Sequence, residues 1–262
     1  MRRALALLLT LMAGAALAQT GRPAQVTAEW QGAEPAGDHP AYLIEARLQE
    51  PTSRYRHDVL GNLPVWGALE VRARACAACR HWAEGDGVAL PPELVFEDVA
   101  PRLWDVTGDG LPEVVVVQSH VDRGARLTVW GYGEGLEQMA ATPFIGQPQR
   151  WLAPAGIGDF DGDGQAEIAY VDRPHLAREL VFVRLQDGAL REVARLPGLT
   201  NHQIGWNYIA GGTRNCGAGD EVIVADAGWQ QAVAVRLSGG KAEQRVLGPL
   251  QGPQDLAGYL GC

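Results

Sequence analysis

The chain has 262 residues, with 31 acidic side chains against 22 lysines and arginines and a formal net charge of −9. So acidic a chain, with no basic run, is a poor partner for a nucleic-acid backbone, yet it is long enough to bury a sizeable core as one domain. Its 33 glycines and 16 prolines are spread along the sequence, which fits many short strands and turns better than a helical fold.

Arg2 and Arg3 precede an apolar run from Ala4 to Ala18 that ends Ala16-Leu17-Ala18, the layout of a secretory signal peptide cut before Gln19. The run is too short to span a bilayer comfortably, and no second apolar segment of membrane length follows. No cysteine follows the cut to carry a lipid. Residues 1–18 are therefore expected to direct ordinary secretion, to the periplasm or the medium. Residues 19–44 read as an N-terminal arm rich in Pro and Gly, with one strand over 25–30 available to close the fold. Residues 42–48 alternate as a strand. The GALEVRA of residues 67–73 echoes the GARLTVW of 124–130, so 45–98 reads as a diverged first unit without acidic ligands. Residues 73–87 look like an insertion between strands. They contain Cys76 and Cys79 in a CAAC motif. Arg80, not His, follows the second cysteine, which argues against covalent haem, and the βαβ context of a redox dithiol is missing. A local or structural disulfide is the reading here, with redox and metal roles left open.

From Phe96 onward the chain repeats. Asp105 to Glu113 reads DVTGDGLPE, and 54 residues later Asp159 to Glu167 reads DFDGDGQAE. In the second stretch Asp159, Asp161 and Asp163 alternate, Gly164 follows, the carbonyl of Gln165 is available, and Glu167 closes the set. This is the pattern of a calcium loop: alternate carboxylates point inward around a hard cation that takes oxygen ligands, and glycine permits the sharp turn. The first stretch offers Asp105, Thr107, Asp109, the carbonyl of Leu111, and Glu113, one charge fewer, and is expected to bind Ca²⁺ more weakly. Asp-Gly pairs also make metal-free hairpin turns. Agreement of two loops at five positions favours the ion. Each loop leads into an apolar run (EVVVVQS, EIAYVDR), and a third run, EVIVADA, starts at Glu221 after the same interval. A repeat of this length is in the range of propeller blades.

On these residues the chain resembles the FG-GAP or VCBS-type repeat family in its exported bacterial form, the class of blade found in integrin alpha propellers. The DVTGDG and DFDGDG loops followed by short hydrophobic strands carry the resemblance. Gly156, Ile157 and Gly158 stand where the family usually has a Phe-Gly pair. The third copy departs from the pattern, with Thr213, Asn215 and Gly217 at the first three ligand positions, and is expected to be metal-free. Cys216 lies in this degenerate loop and Cys262 is the last residue. Their pairing is expected, so that a covalent tie replaces a coordinate one. Each unit reads as four strands, which predicts an all-β fold: a β-propeller of four to five four-stranded blades over 45–262, with units at about 45–98, 99–150, 151–204 and 205–262. The N-terminal strand is expected to complete the last blade.

Alternation of strand direction puts the acidic loops on one face and the next turns and interblade links on the other. That second face receives His120, Asp122 and Arg123, then Asp172, Arg173 and His175, then Asp226 and Trp229, with His202 from a link. Such residues commonly cap strand ends or face water. Loops on a rigid sheet scaffold are also where binding residues gather, so this rim is a candidate ligand surface. No G-x-S-x-G, H-E-x-x-H or phosphate-cradling glycine loop is present, and no catalytic residue is assigned. The resemblance implies a monomeric module, stabilised by structural Ca²⁺, that recognises a protein or carbohydrate ligand. A hydrolase or lyase working at the histidine-bearing rim is the alternative.

Overall fold

A computed structural model describes residues 23–35, 41–74 and 85–262. The expected signal peptide and the Cys76/Cys79 pair lie outside these residues. The described chain is all-β, in three sheets. The first holds β1 (Val26–Glu29), β2 (Tyr42–Thr52), β3 (Val65–Arg74), β4 (Asp86–Ala89), β5 (Leu94–Phe96), β6 (Arg102–Trp104), β7 (Glu113–His120), β8 (Gly124–Tyr132) and β9 (Leu136–Ala141). The second is β10 (Leu152–Gly158), β11 (Glu167–Asp172), β12 (Glu179–Gln186) and β13 (Ala189–Pro197), antiparallel and in sequence order. The third comprises β14 (Leu199–Thr200), β15 (Gly212–Asn215), β16 (Asp220–Asp226), β17 (Gln231–Ser238) and β18 (Lys241–Pro249). A short 3₁₀ helix, η1 (Pro253–Tyr259), follows.

The apolar runs after each loop are continuous, not alternating, because these strands are buried on both faces. In β7, Val115 and Val117 face the second sheet, while Val114 and Val116 pack with Leu69 and Trp66 of β3. In β11, Ile168 and Tyr170 face back toward β7 and β8, and Ala169 and Val171 face forward to Val222 and Val224. The other face of β16, Ile223 and Ala225, is covered by Leu250 and the fully buried Leu256 of η1. Each sheet thus fills the gap to the next, and η1 caps the last. The polar strand β18 needs no such cover and is largely exposed.

Two features differ from the sequence-based expectation. β1 pairs with β2, so the N-terminal arm extends the first sheet and does not complete the last one. The units 45–98 and 99–150 share one sheet, because the short β5 pairs β3 through Trp66 and Phe96 and pairs β7 through Leu94 and His120. A three-residue strand leaves no room for a second, separate edge.

Candidate functional site

The two acidic loops have one hydrogen-bond pattern. In the first, Asp105 accepts the N–H of Gly108 at 2.7 Å and of Gly110 at 2.9 Å, Asp109 accepts that of Leu111 at 2.8 Å, and Glu113 that of Val106 at 2.8 Å. In the second, Asp159 accepts from Gly162 at 2.8 Å and Gly164 at 2.9 Å, Asp163 from Gln165 at 2.9 Å, and Glu167 from Phe160 at 3.0 Å. Gly110 and Gly164 take matching left-handed conformations, φ 85° and 86°, which an L side chain resists. The first residue and the last of each set therefore fold the loop back on itself.

The carboxylates converge in the second loop. One oxygen each of Asp159, Asp161 and Glu167 lie within 4.8 Å of one another. Such an all-oxygen set fits a hard cation and could hold a metal ion. Asp163 stands beside this group, with its free oxygen 2.8 Å from Arg184. Among the described residues the first loop's Asp105, Asp109 and Glu113 do not form so tight a group, and Thr107 reaches Glu113 at 3.4 Å.

The closing glutamate, Glu113, Glu167 or Glu221, separates the three units by its counter-cations. On β12, Arg184 pairs across the sheet with Glu167, reaching its carboxylate at 2.7 Å through Nε and Asp161 at 3.0 Å. The equivalent position on β8, next to the Val114–Trp130 pair, is Gly131, which carries no charge. In the third unit it is Arg236, and Glu221 also has Arg214 at 2.6 Å and Arg245 at 3.0 Å. The carboxyl groups respond in that order. Burial, with Asp109 and Asp105 nearby, pushes Glu113 up to about 7. Burial also raises Glu167, against the pull of Arg184. At Glu221 burial is outweighed by Arg214 and Arg245, which hold it below the usual range. Among the described residues the third unit supplies its closing glutamate with cations and the first supplies none.

Residues 105–170 match an FG-GAP-like repeat. The matched span begins at the first position of the first acidic loop, contains the second loop whole, and ends in β11. No curated protein matches the chain. The degenerate loop falls outside the FG-GAP-like span, and there the structure joins Cys216 to Cys262, S–S 2.15 Å. Arg214 donates to the carbonyl of Tyr259 at 2.6 Å, so the C-terminal segment is fastened to this loop twice.

The expected rim is divided. His175 and His202 meet, Nε2 to Nδ1 at 2.9 Å, with His175 stacked on Trp151. His202 is 1 % exposed, so it belongs to the interior and not to a free rim. His120 is engaged elsewhere: its Nδ1 accepts the N–H of Asp122 at 3.0 Å and its ring meets Phe144, over which Arg123 lies. Asp172 is tied to Arg173 and Arg195. Asp226 caps its own turn through the N–H groups of Gln230 and Gln231. Trp229 packs edge-on against Trp206.

Burial pushes both His175 and His202 down to about 4, helped at His175 by the neighbouring His202, His57 and Arg178 and outweighing at His202 the pull of the Trp206 carbonyl. The unfolded rings take a proton near the ordinary value of 6.5, so the unfolded chain binds more protons between these limits and stability falls as pH drops from about 6.5 towards 4. Thermal melts from neutral to mildly acidic pH are expected to show this contribution as a midpoint that falls further in the wild type than in a chain without the buried pair. His202→Gln should flatten that fall.

The sequence reading missed a further polar group. His57 Nδ1 lies 2.8 Å from Glu97 Oε1, and the Ser119 hydroxyl donates to Glu97 Oε2 at 2.5 Å. Glu97 is 1 % exposed. Trp151 Nε1 donates to the Glu97 carbonyl at 2.8 Å, which joins this group to the His175 stack. The only sign in the sequence was a polar RYRHD stretch inside an otherwise diverged unit.

Proposed function

We propose that this chain is an exported recognition module of the FG-GAP/VCBS type, built on propeller-like units over 45–262 and stabilised by calcium in two loops. The ligands would be Asp159, Asp161, Asp163, Glu167 and the Gln165 carbonyl in the stronger site. Asp105, Thr107, Asp109, Glu113 and the Leu111 carbonyl would serve in the other. The observation that carries the reading is one hydrogen-bond pattern shared by two acidic loops, the second with converging carboxylates, in a span that matches an FG-GAP-like repeat. An ion there would neutralise carboxylates that repel one another and tie two strands together, so its role is structural. The Cys216–Cys262 bond supports an oxidising compartment. Among the described residues no helix is long and apolar enough to cross a membrane. The ligand recognised would be a protein or a carbohydrate, bound by a monomer.

Thermal unfolding in calcium and then in chelator tests the reading. A rise in midpoint with calcium, reduced in Asp163→Ala, is expected, since a ligand bound only by the folded state raises stability by mass action. Identical midpoints in the two conditions would reduce the loops to hairpin turns.

A further inference from the structure

A cavity of about 210 Å³ opens between the β2–β3 connection and the end of β5, away from the acidic loops. Its walls include Tyr55, His57, Val59, Leu60, Leu63 and Glu97. Three properties mark it as a built site and not a packing gap.

The first is a prepared acceptor. Glu97 is buried, and among the described residues its carboxylate meets no lysine or arginine; its partners are the Ser119 hydroxyl and His57. A carboxylate at Nδ1 selects the Nδ1–H form of a neutral imidazole, which leaves Nε2 as a lone-pair acceptor. His57 keeps 17 % of its side chain open and lines the cavity. The second is rigidity. Gln149 N–H donates to the Tyr55 hydroxyl at 3.0 Å, Gln149 Nε2 to the Arg56 carbonyl at 3.0 Å, and Gly205 N–H to the Val59 carbonyl at 3.0 Å. Gly61, at φ 62°, allows this approach: a Cβ there would stand 2.4 Å from the Gly205 carbonyl oxygen. The connection is pinned to the β9–β10 and β14–β15 connections before any ligand arrives, so little ordering cost remains. The third is the balance of the lining. Arg56 lines it together with Asp58 and Glu97, with no surplus of cations to select an anion, and Leu63 is its half-buried aliphatic side chain, Val59 and Leu60 being buried in the core. The volume is below the roughly 300–1,000 Å³ of drug-sized sites, which limits the occupant to about one ring.

We propose that this cavity binds a single neutral sugar ring. One hydroxyl donates to His57 Nε2, and Leu63 covers a C–H face of the ring. This names the ligand class and the place for the recognition function above, and it rests on that reading. The site is made by the diverged first unit, which lacks the acidic loop.

The purified full chain in calcium is titrated with free glucose, galactose, mannose, fucose and N-acetylglucosamine, followed by ligand-observed NMR. One or more of these sugars is expected to bind. His57→Phe, which removes the acceptor, should weaken binding about tenfold or more, and Leu63→Trp, which fills the cavity, should abolish it. The two variants alter different lining residues, so a cooperative melt in either one suffices for the comparison. Binding that a folded variant keeps at full strength overturns this site and leaves recognition of sugar intact elsewhere. Failure of every sugar to bind the folded wild-type chain overturns the proposal and leaves a protein ligand as the surviving form of the recognition reading.

Discussion

Replacing Glu167 by alanine is expected to destabilise the calcium-free protein by about 3 kcal/mol or more, because it removes one partner of a buried ion pair. Glu167 is fully buried and serves two groups. Its Oε2 accepts the N–H of Phe160 at 3.0 Å, and its Oε1 accepts Arg184 Nε at 2.7 Å. Without it, Arg184 keeps only the more exposed Asp161 and Asp163, and the Phe160 N–H has no acceptor. Phe160 packs edge-on against Phe182 in the core between the second and third sheets, so the loss reaches beyond the loop. Urea denaturation in chelator measures it. Glu167→Gln retains an acceptor for Phe160 and should cost less. A loss within about 1 kcal/mol for Glu167→Ala, the range of an exposed pair, would mean that the contact carries no weight.

Arg184→Met is expected to move the protein in two directions at once. In the absence of calcium it should lower stability, since Arg184 is the cation that bridges Asp161, Asp163 and Glu167. Calcium affinity of the second loop should rise, about tenfold or more, because the incoming ion no longer has to displace charge-assisted hydrogen bonds. Denaturation in chelator gives the first effect and calcium titration the second. Calcium affinity that falls in Arg184→Met would show that the guanidinium supports the ion and does not compete with it. The first loop has Gly131 where Arg184 would stand and should be untouched by the substitution.

The acidic loops and the strands that follow them were legible because they rest on local chemistry: alternating carboxylates, left-handed glycines and β-rich runs. The three successive apolar runs marked strands, and the structure buries them on both faces. What was hidden depends on pairing across sheets. Arg184 and Arg214 read as ordinary charged residues, and only the register that sets them against Glu167 and Glu221 makes them internal cations. The joining of the first two units turns on β5, whose three residues carry too little pattern to announce a strand with two neighbours. His57 and Glu97 stand 40 residues apart in the unit that has lost the repeat signature, so neither spacing nor periodicity connected them. His202, placed by strand counting on an open rim, is buried among Trp151, His175 and Trp206, which come from three separate stretches of the chain.

Calorimetric titration of the chelator-treated protein with calcium tests the central claim most directly. Two sites are predicted, one weakened by Asp163→Ala and the other by Asp109→Ala, with none contributed by the arginine-filled third unit. Absence of any binding heat, or binding that both substitutions leave unchanged, would contradict the assignment of the two loops as calcium sites.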